Sequence, residues 1–302
     1  MREEKGELTI TVRRLTKREP GGGSPAHWLL FFATLLTTMT AGALMFNVDL
    51  LENPLAIWEG WPFSLAIMLV LGMHELGHYM ISKKRGVVAT PPYFIPVPPP
   101  FILGTLGAVI RMRSPMPDRK SMFDIGVAGP LMGVVFAIPV TMIGLYLSPI
   151  PLPEGATALR LGRPLIYWAL SSLIPAGDGG LHPVAFAGWV GFFVTFLNLL
   201  PVGQLDGGHI FRAMFGELHA RISRTVPIFL LTMGLFLTFF LHVNGSIWIF
   251  WGFISIFFHG AGHPPPMNDI SPLDDKRRAI GILVVLLMIS CFTPVPFSVT
   301  AG

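Results

Sequence analysis

Residues 62–82 read PFSLAIMLVLGMHELGHYMIS, and lysine and arginine follow at 83–85. The run is about long enough to cross a hydrocarbon layer as a helix. It nevertheless carries His74, Glu75 and His78 inside the apolar stretch. Ionisable groups at such depth are costly and are retained for function. Glu75 lies roughly 10 Å of helix rise from the end of the run. On a helix, positions i and i+4 share a face, so both imidazoles can reach one metal ion with the acid beside them.

The rest of the chain fits a membrane setting. Its 302 residues are 52% hydrophobic and only 13% charged, against about 25% charged in soluble domains. Mean hydropathy is +0.63. Further apolar runs lie at 27–46, 123–147, 184–200 and 226–243, with shorter ones at 247–258 and 279–292. We therefore expect an all-α polytopic membrane protein with six to seven transmembrane helices. Ala41-Gly42-Ala43 mimics a signal-peptide cleavage site, but the 20-residue length of its run favours a retained span.

Residues 1–26 read as a polar arm and linker, 27–293 as the membrane domain with a core at about 62–210, and 294–302 as a short tail. Residues 148–183 read as a polar connection. Residues 90–100 carry six prolines and cannot be helical. Residues 103–112 hold two glycines and three β-branched residues. Together these stretches predict a re-entrant loop with a short β segment, which membrane depth tolerates only against protein or a wet cavity.

The net charge is +4, and the pI of about 9.5 would suit a nucleic-acid binder. The distribution of basic residues argues otherwise. With alternating spans, nineteen of the 21 lysines and arginines fall on one side, and only Arg160 and Arg163 on the other. This asymmetry reads as topology with a cytosolic N-terminus. The single cysteine, Cys291, excludes multi-cysteine metal sites.

A third metal ligand is expected at similar depth. Asn198-Leu199-Leu200-Pro201-Val202-Gly203-Gln204-Leu205-Asp206-Gly207-Gly208 ends the fourth span, and its proline and glycines break the helix there. Spacing leaves Asp206 open between a ligand and a helix cap. His259 and His263 are also four apart, but sit among glycines before three prolines and read as no metal site. His209 reads as a packing residue beside the Asp206 turn. Gly129 and Gly133 have helix-packing spacing.

These two motifs, H-E-x-x-H on an early span and N-x-x-P-x-x-x-x-D-G on a later one, resemble the site-2 protease family of intramembrane zinc metalloproteases. The likeness runs from about Pro62 to Ile210 and includes Gly104–Ala108 and Ala128-Gly129-Pro130. It is closest to the compact branch, since 148–183 is too short for a PDZ domain and 261–302 too short for CBS modules.

The resemblance implies one zinc ion held by His74, His78 and Asp206. It implies Glu75 as the general base and Asn198 as a donor to the oxyanion or the substrate backbone. The implied reaction is hydrolysis of membrane-spanning protein substrates near the cytosolic side, in regulated proteolysis or the clearance of signal remnants. The implied setting is the lipid bilayer of a prokaryotic cell or a plastid, with no nucleic-acid partner. We further expect Thr105, Gly107 and Val109 to offer a strand edge to an unwound substrate. A metal transporter, a degenerate scaffold and the prenyl-terminus type of membrane zinc protease are the competing classes. Clustering of the ionisable residues at one depth, retention of Glu75 and the Asn198–Asp206 motif favour the site-2 type.

Overall fold

The computed structural model describes residues 2–4, 7–9, 24–150, 158–174 and 179–300. Most of the expected polar arm and linker lies outside them. Within the arm, β1 (Arg2–Glu4) pairs antiparallel with β2 (Glu7–Thr9), a ladder its polar composition did not predict.

Helix α1 (Pro25–Met45) begins at an N-capping Ser24 with proline in its first turn, both favourable starts. Ala41, Gly42 and Ala43 are buried. A Cβ on Gly42 would stand 2.5 Å from the Gly60 carbonyl oxygen. The run that mimics a cleavage site is therefore a contact face for the turn entering the next helix. That helix, α2 (Trp61–Lys84), carries both histidines of the opening motif and ends in Lys83 and Lys84, cations placed well for its dipole.

The proline-rich stretch then forms a hairpin. Strand β3 (Tyr93–Pro96) pairs antiparallel with β4 (Thr105–Val109), with a register shift between Phe94 and Pro96. Bonds from Thr90 N to Arg111 O and from Arg113 N to Val88 O prolong the pairing. The expected short β segment is present.

Helix α3 (Arg119–Tyr146) is capped by Asp118 and keeps its course through Pro130 and Pro139. It packs against α2 and α5. The 148–183 connection is more structured than expected. It contains β5 (Ala158–Leu161) and α4 (Leu165–Leu173), the latter with apolar Leu165, Ile166, Trp168 and Leu170. Nine residues between proline- and glycine-rich flanks are too few to stand out as a span.

Helix α5 (Pro183–Asn198) ends where the second motif begins. A loop over 199–205 leads into α6 (Asp206–Phe215), and a short turn joins α6 to α7 (His219–Phe239). Helices α8 (Ser246–Gly260) and α9 (Asp275–Cys291) follow. Strand β6 (Phe297–Thr300) comes from the stretch read as a tail and pairs antiparallel with β5.

Four stretches are long and apolar enough to cross a membrane: Pro25–Met45, Pro54–Lys84, Arg119–Tyr146 and Asp206–Phe239. Helices α5 and α8 are apolar but shorter. The large apolar side chains left outward on α1, α7 and α8, such as Leu29, Phe239 and Phe257, are more than half exposed. Such faces suit lipid rather than water. The protein is a mostly helical, multi-pass membrane protein.

The core runs through α2, α3 and α5, with Phe63, Ile67, Trp189, Phe192 and Trp248 fully buried. The two indoles find acceptors: Trp189 Nε1 donates to Gly162 O at 2.7 Å, and Trp248 Nε1 to Pro294 O at 2.6 Å. Buried tryptophan ordinarily needs such a partner. At the other end of the bundle, Asp124 of α3 accepts from Arg277 Nε (2.8 Å) and Nη2 (2.9 Å) and also from Arg85, tying α2, α3 and α9 together.

Candidate metal centre

His74, His78 and Asp206 converge from α2 and the first residue of α6. His74 Nε2 and Asp206 Oδ2 are 3.2 Å apart, His78 Nε2 and Asp206 Oδ1 3.1 Å, and the two Nε2 atoms 3.2 Å. Among the described residues this is the only group of three or more His, Cys, Asp or Glu whose donor atoms could hold a metal. Both histidines are about 5% exposed.

The convergence has a local cause. The one-turn spacing puts both imidazoles on the α2 face that meets α3. There α3 presents glycines. A Cβ on Gly129 would lie 2.0 Å from His78 Nε2, and one on Gly133 would lie 3.1 Å from His74 Nδ1. Gly77 repays the approach from α2, since its Cβ would fall 2.6 Å from Ala128 O. The helix-packing spacing of Gly129 and Gly133 is thus a cradle for two rings. The signal was present in the sequence, but spacing alone did not say that imidazoles fill the space.

Asp206 arrives through a bent loop. Gly203 adopts φ +52° against the Phe258 carbonyl, a conformation glycine takes without penalty. A Cβ on Gly207 would meet Leu199 O at 2.0 Å, and one on Gly208 would meet Gly203 O at 2.1 Å. Only glycines let the first turn of α6 close on its own loop. Asp206 sits in that first turn, where the helix dipole favours a carboxylate. It is therefore both a helix-start residue and a member of the triad.

Three lone-pair donors facing one another require a shared proton or a cation. The separations match a tetrahedral zinc site, whose ligand atoms lie about 3.3 Å apart. His78 Nδ1 donates to Ile125 O at 2.7 Å, which leaves its Nε2 lone pair directed at the other two donors. Such carbonyl partners orient histidine ligands in metal sites. The residues present fit the ion.

Glu75 lies on the same turn of α2. Its Oε2 accepts from the backbone N–H of Ile110 at 3.1 Å, just beyond β4. Asn198, the last residue of α5, places Nδ2 3.2 Å from His74 Nε2. The amide of Ile110 and the carbonyl of Ile125 are main-chain groups that no side-chain pattern could have announced.

The three strand residues have different surroundings. Thr105 is buried, and its Oγ1 donates to Ile95 O and accepts from Gly107 N, both at 2.9 Å. Its hydroxyl is thus used inside the hairpin. Gly107 (φ +97°) has open space at its Cβ position, and Val109 is half exposed. Among the described residues no second strand pairs with β4.

His209 Nδ1 is 2.7 Å from His263 Nε2. Burial first, and then the neighbouring His209, hold His263 down to about 3. His259 lies in the last turn of α8 and His263 beyond its end, so they do not share a helical face.

Comparison with known proteins agrees with the two motifs. Probable zinc metalloprotease EGY1, chloroplastic, of Oryza sativa subsp. japonica is 31% identical over 243 residues, covering 77% of this chain and 40% of that protein. Probable zinc metalloprotease EGY2, chloroplastic, of Arabidopsis thaliana is 28% identical over 263 residues, covering 85% and 44%. The chain thus spans less than half the length of these relatives. Among solved structures, the Site-2 Protease from Methanocaldococcus jannaschii aligns at a TM-score of 0.35 and 19% identity, covering 77% of this chain and 86% of that one. The profile of Peptidase family M50 matches residues 62–241. That interval is more than half of the sequence and contains both motifs, so the chain belongs to peptidase family M50, the site-2 protease family.

Proposed function

We propose that this chain is a zinc-dependent intramembrane endopeptidase that hydrolyses membrane-spanning protein substrates near the cytosolic side. The observation that carries the reading is the convergence of His74, His78 and Asp206, with Glu75 beside them. In this reading the three donors hold one zinc ion. When bound, zinc acts as a Lewis acid and makes water a nucleophile near neutral pH.

The chain's own residues divide the remaining work. Glu75 takes a proton from the attacking water and later delivers it to the leaving amine nitrogen. The Ile110 amide holds the carboxylate in place for both transfers. Asn198 donates through Nδ2 to the charge that develops on the scissile carbonyl oxygen, or to the substrate backbone. A helical substrate hides its peptide bonds, so it must unwind, and the unpaired edge of β4 at Gly107 and Val109 offers it a strand to pair with. The glycines of α3 leave room in the α2–α3 seam for the two imidazoles.

The topology we infer has α1, α2, α3, α5, α7, α8 and α9 as six or seven crossings, with the β3–β4 hairpin re-entrant and the N-terminus cytosolic. The basic residues at 83–85, 111–120, 212–224 and 276–278 then share the cytosolic side. The membrane domain is 27–293 with its core at about 62–210, and a prokaryotic cell membrane is its setting. The chloroplastic names of the relatives favour a plastid membrane as the second reading. Release of a tethered regulator or removal of signal remnants are the two uses that fit such a cut.

The decisive test is Glu75→Gln in the full chain with a model membrane substrate. Zinc content should stay at the native value while cleavage disappears. Persistent cleavage would remove Glu75 from the chemistry.

A further inference from the structure

The last turn of α8 and the loop after it reach the Asp206 segment at two points. Upstream of Asp206, the Gly203 N–H donates to Ser223 Oγ of α7 at 3.3 Å, and that oxygen is 3.0 Å from His259 Nδ1 in the last turn of α8. Ser223 is buried. A Cβ on Gly203 would lie 2.2 Å from the Phe258 carbonyl oxygen, so the two backbones also touch there. Downstream, His209 stands on α6 three residues after Asp206. Its Nδ1 is 2.7 Å from Nε2 of His263, beyond the end of α8.

Both contacts have a defined direction. His263 Nδ1 is 2.9 Å from Pro264 O. A carbonyl only accepts, so Nδ1 carries the proton and Nε2 of the neutral ring presents a lone pair. His209 Nδ1–H is then the donor to His263. On the upstream side Ser223 Oγ accepts from Gly203, and its own hydrogen is free to go to His259 Nδ1. The His209 and His263 rings also meet edge-on, with centroids 4.7 Å apart, and His219 adds an edge-on contact to His263 at 5.5 Å.

The segment needs outside support. Gly203, Gly207 and Gly208 are demanded by close backbone approach, yet glycine weakens a helical turn and widens the choices open to a loop. Asp206 therefore sits in a turn that holds itself weakly. On the α3 side the turn is backed by Gly126, whose Cβ would lie 3.1 Å from His209 Cβ and 3.2 Å from Asp206 O. Packing of that kind limits approach, whereas hydrogen bonds on either side of Asp206 fix direction.

We propose that His259 and His263 are positioning residues of the metal centre. Acting through Ser223 and His209, they clamp the chain on both sides of Asp206 and hold its carboxylate in place for the ion. The inference rests on the reading of Asp206 as a zinc ligand. It gives the two histidines after Phe258 a role outside the ligand set, and it makes the loop after α8 part of the centre's support.

The test is zinc titration of the full chain in detergent micelles against a competing chelator. His259→Ala and His263→Ala should each lower zinc affinity roughly tenfold, the low end for groups that orient a metal ligand. The amide of Asn reproduces the Nδ1 position and that of Gln the Nε2 position, so His259→Asn and His263→Gln should return affinity to near the native value. A change of packing alone would not be rescued in this way. Should His263→Ala fail to fold, His263→Leu keeps the volume without the hydrogen bond and carries the same expectation. Asp206→Ala closes a double-mutant cycle: on that background His263→Ala should cost nothing further. Native affinity in either alanine variant overturns the clamp. A loss that the amides fail to restore, or one that persists in full on the Asp206→Ala background, overturns it as well. If Asp206→Ala itself keeps native affinity, the ligand assignment is what fails, and the clamp falls with it.

Discussion

The backbone N–H of Ile110 donates to Glu75 Oε2 at 3.1 Å. The proposed base is therefore aligned by the main chain just beyond β4, and the hairpin and the chemistry share one hydrogen bond. Ile110→Pro removes this donor. A hydrogen bond to a charged group contributes about 1.5–3 kcal/mol, so kcat should fall roughly tenfold to a hundredfold. Zinc content should not change, and elemental analysis beside a cleavage assay separates the two. Undiminished kcat would detach the amide from the role of the base.

Asp206→Ala tests the third donor. Zinc per chain should drop at the His74–His78 centre, and added zinc should restore cleavage only in part. A stoichiometry equal to that of the native protein would take Asp206 out of the ligand set. Chelation of the native protein should abolish cleavage reversibly.

The cradle can be filled from the other side. Gly129→Ala puts a methyl where His78 Nε2 now stands, while Gly133→Ala meets His74 Nδ1 at a separation a small shift relieves. Losses of metal affinity should rank accordingly. Disturbing the surroundings of a ligand costs roughly 10–100-fold, so Gly129→Ala should lie at or beyond that range and Gly133→Ala below it. Zinc titration against a competing chelator measures both, and equal affinities would refute the packing account.

Val109→Pro probes the strand edge. The loss of one main-chain donor on β4 should lower cleavage with zinc content intact. If cleavage is unchanged, the hairpin only shields the centre.

Much of this was legible in the residue order because membranes impose a blunt code. Apolar runs, basic flanks and the two motifs led to the major helices, to the triad and, through the prolines of 91–100, to a non-helical hairpin. Four things were not legible. Helix α4 was hidden because nine mostly apolar residues between turn formers resemble a loop. The role of Gly129 and Gly133 was hidden because spacing shows that two surfaces approach closely but not which side chains fill the gap. Thr105 was expected at a strand edge, yet its hydroxyl is spent on Ile95 and Gly107, because hairpin geometry decides which atoms remain free. The His209–His263 contact joins residues 54 positions apart, and no local pattern predicts it.

The pairing of β5 with β6, in register from Ala158↔Thr300 to Leu161↔Phe297, carries a parity rule. Two hydrogen-bonded strands outside the bilayer must share one face of it, so the chain between them crosses an even number of times. Between them lie α5, α7, α8 and α9. The contacts of Met267 N with Met116 O and of Asn268 N with Pro117 O impose the same rule on the interval from the start of α3 to the start of α9. In the topology we propose, α1, α2 and α3 cross before β5, which makes the total odd. Of the six or seven crossings we propose, seven is the count that keeps both pairings whole. In that proposed topology the N-terminal arm and the β5–β6 ladder lie on opposite faces of the bilayer.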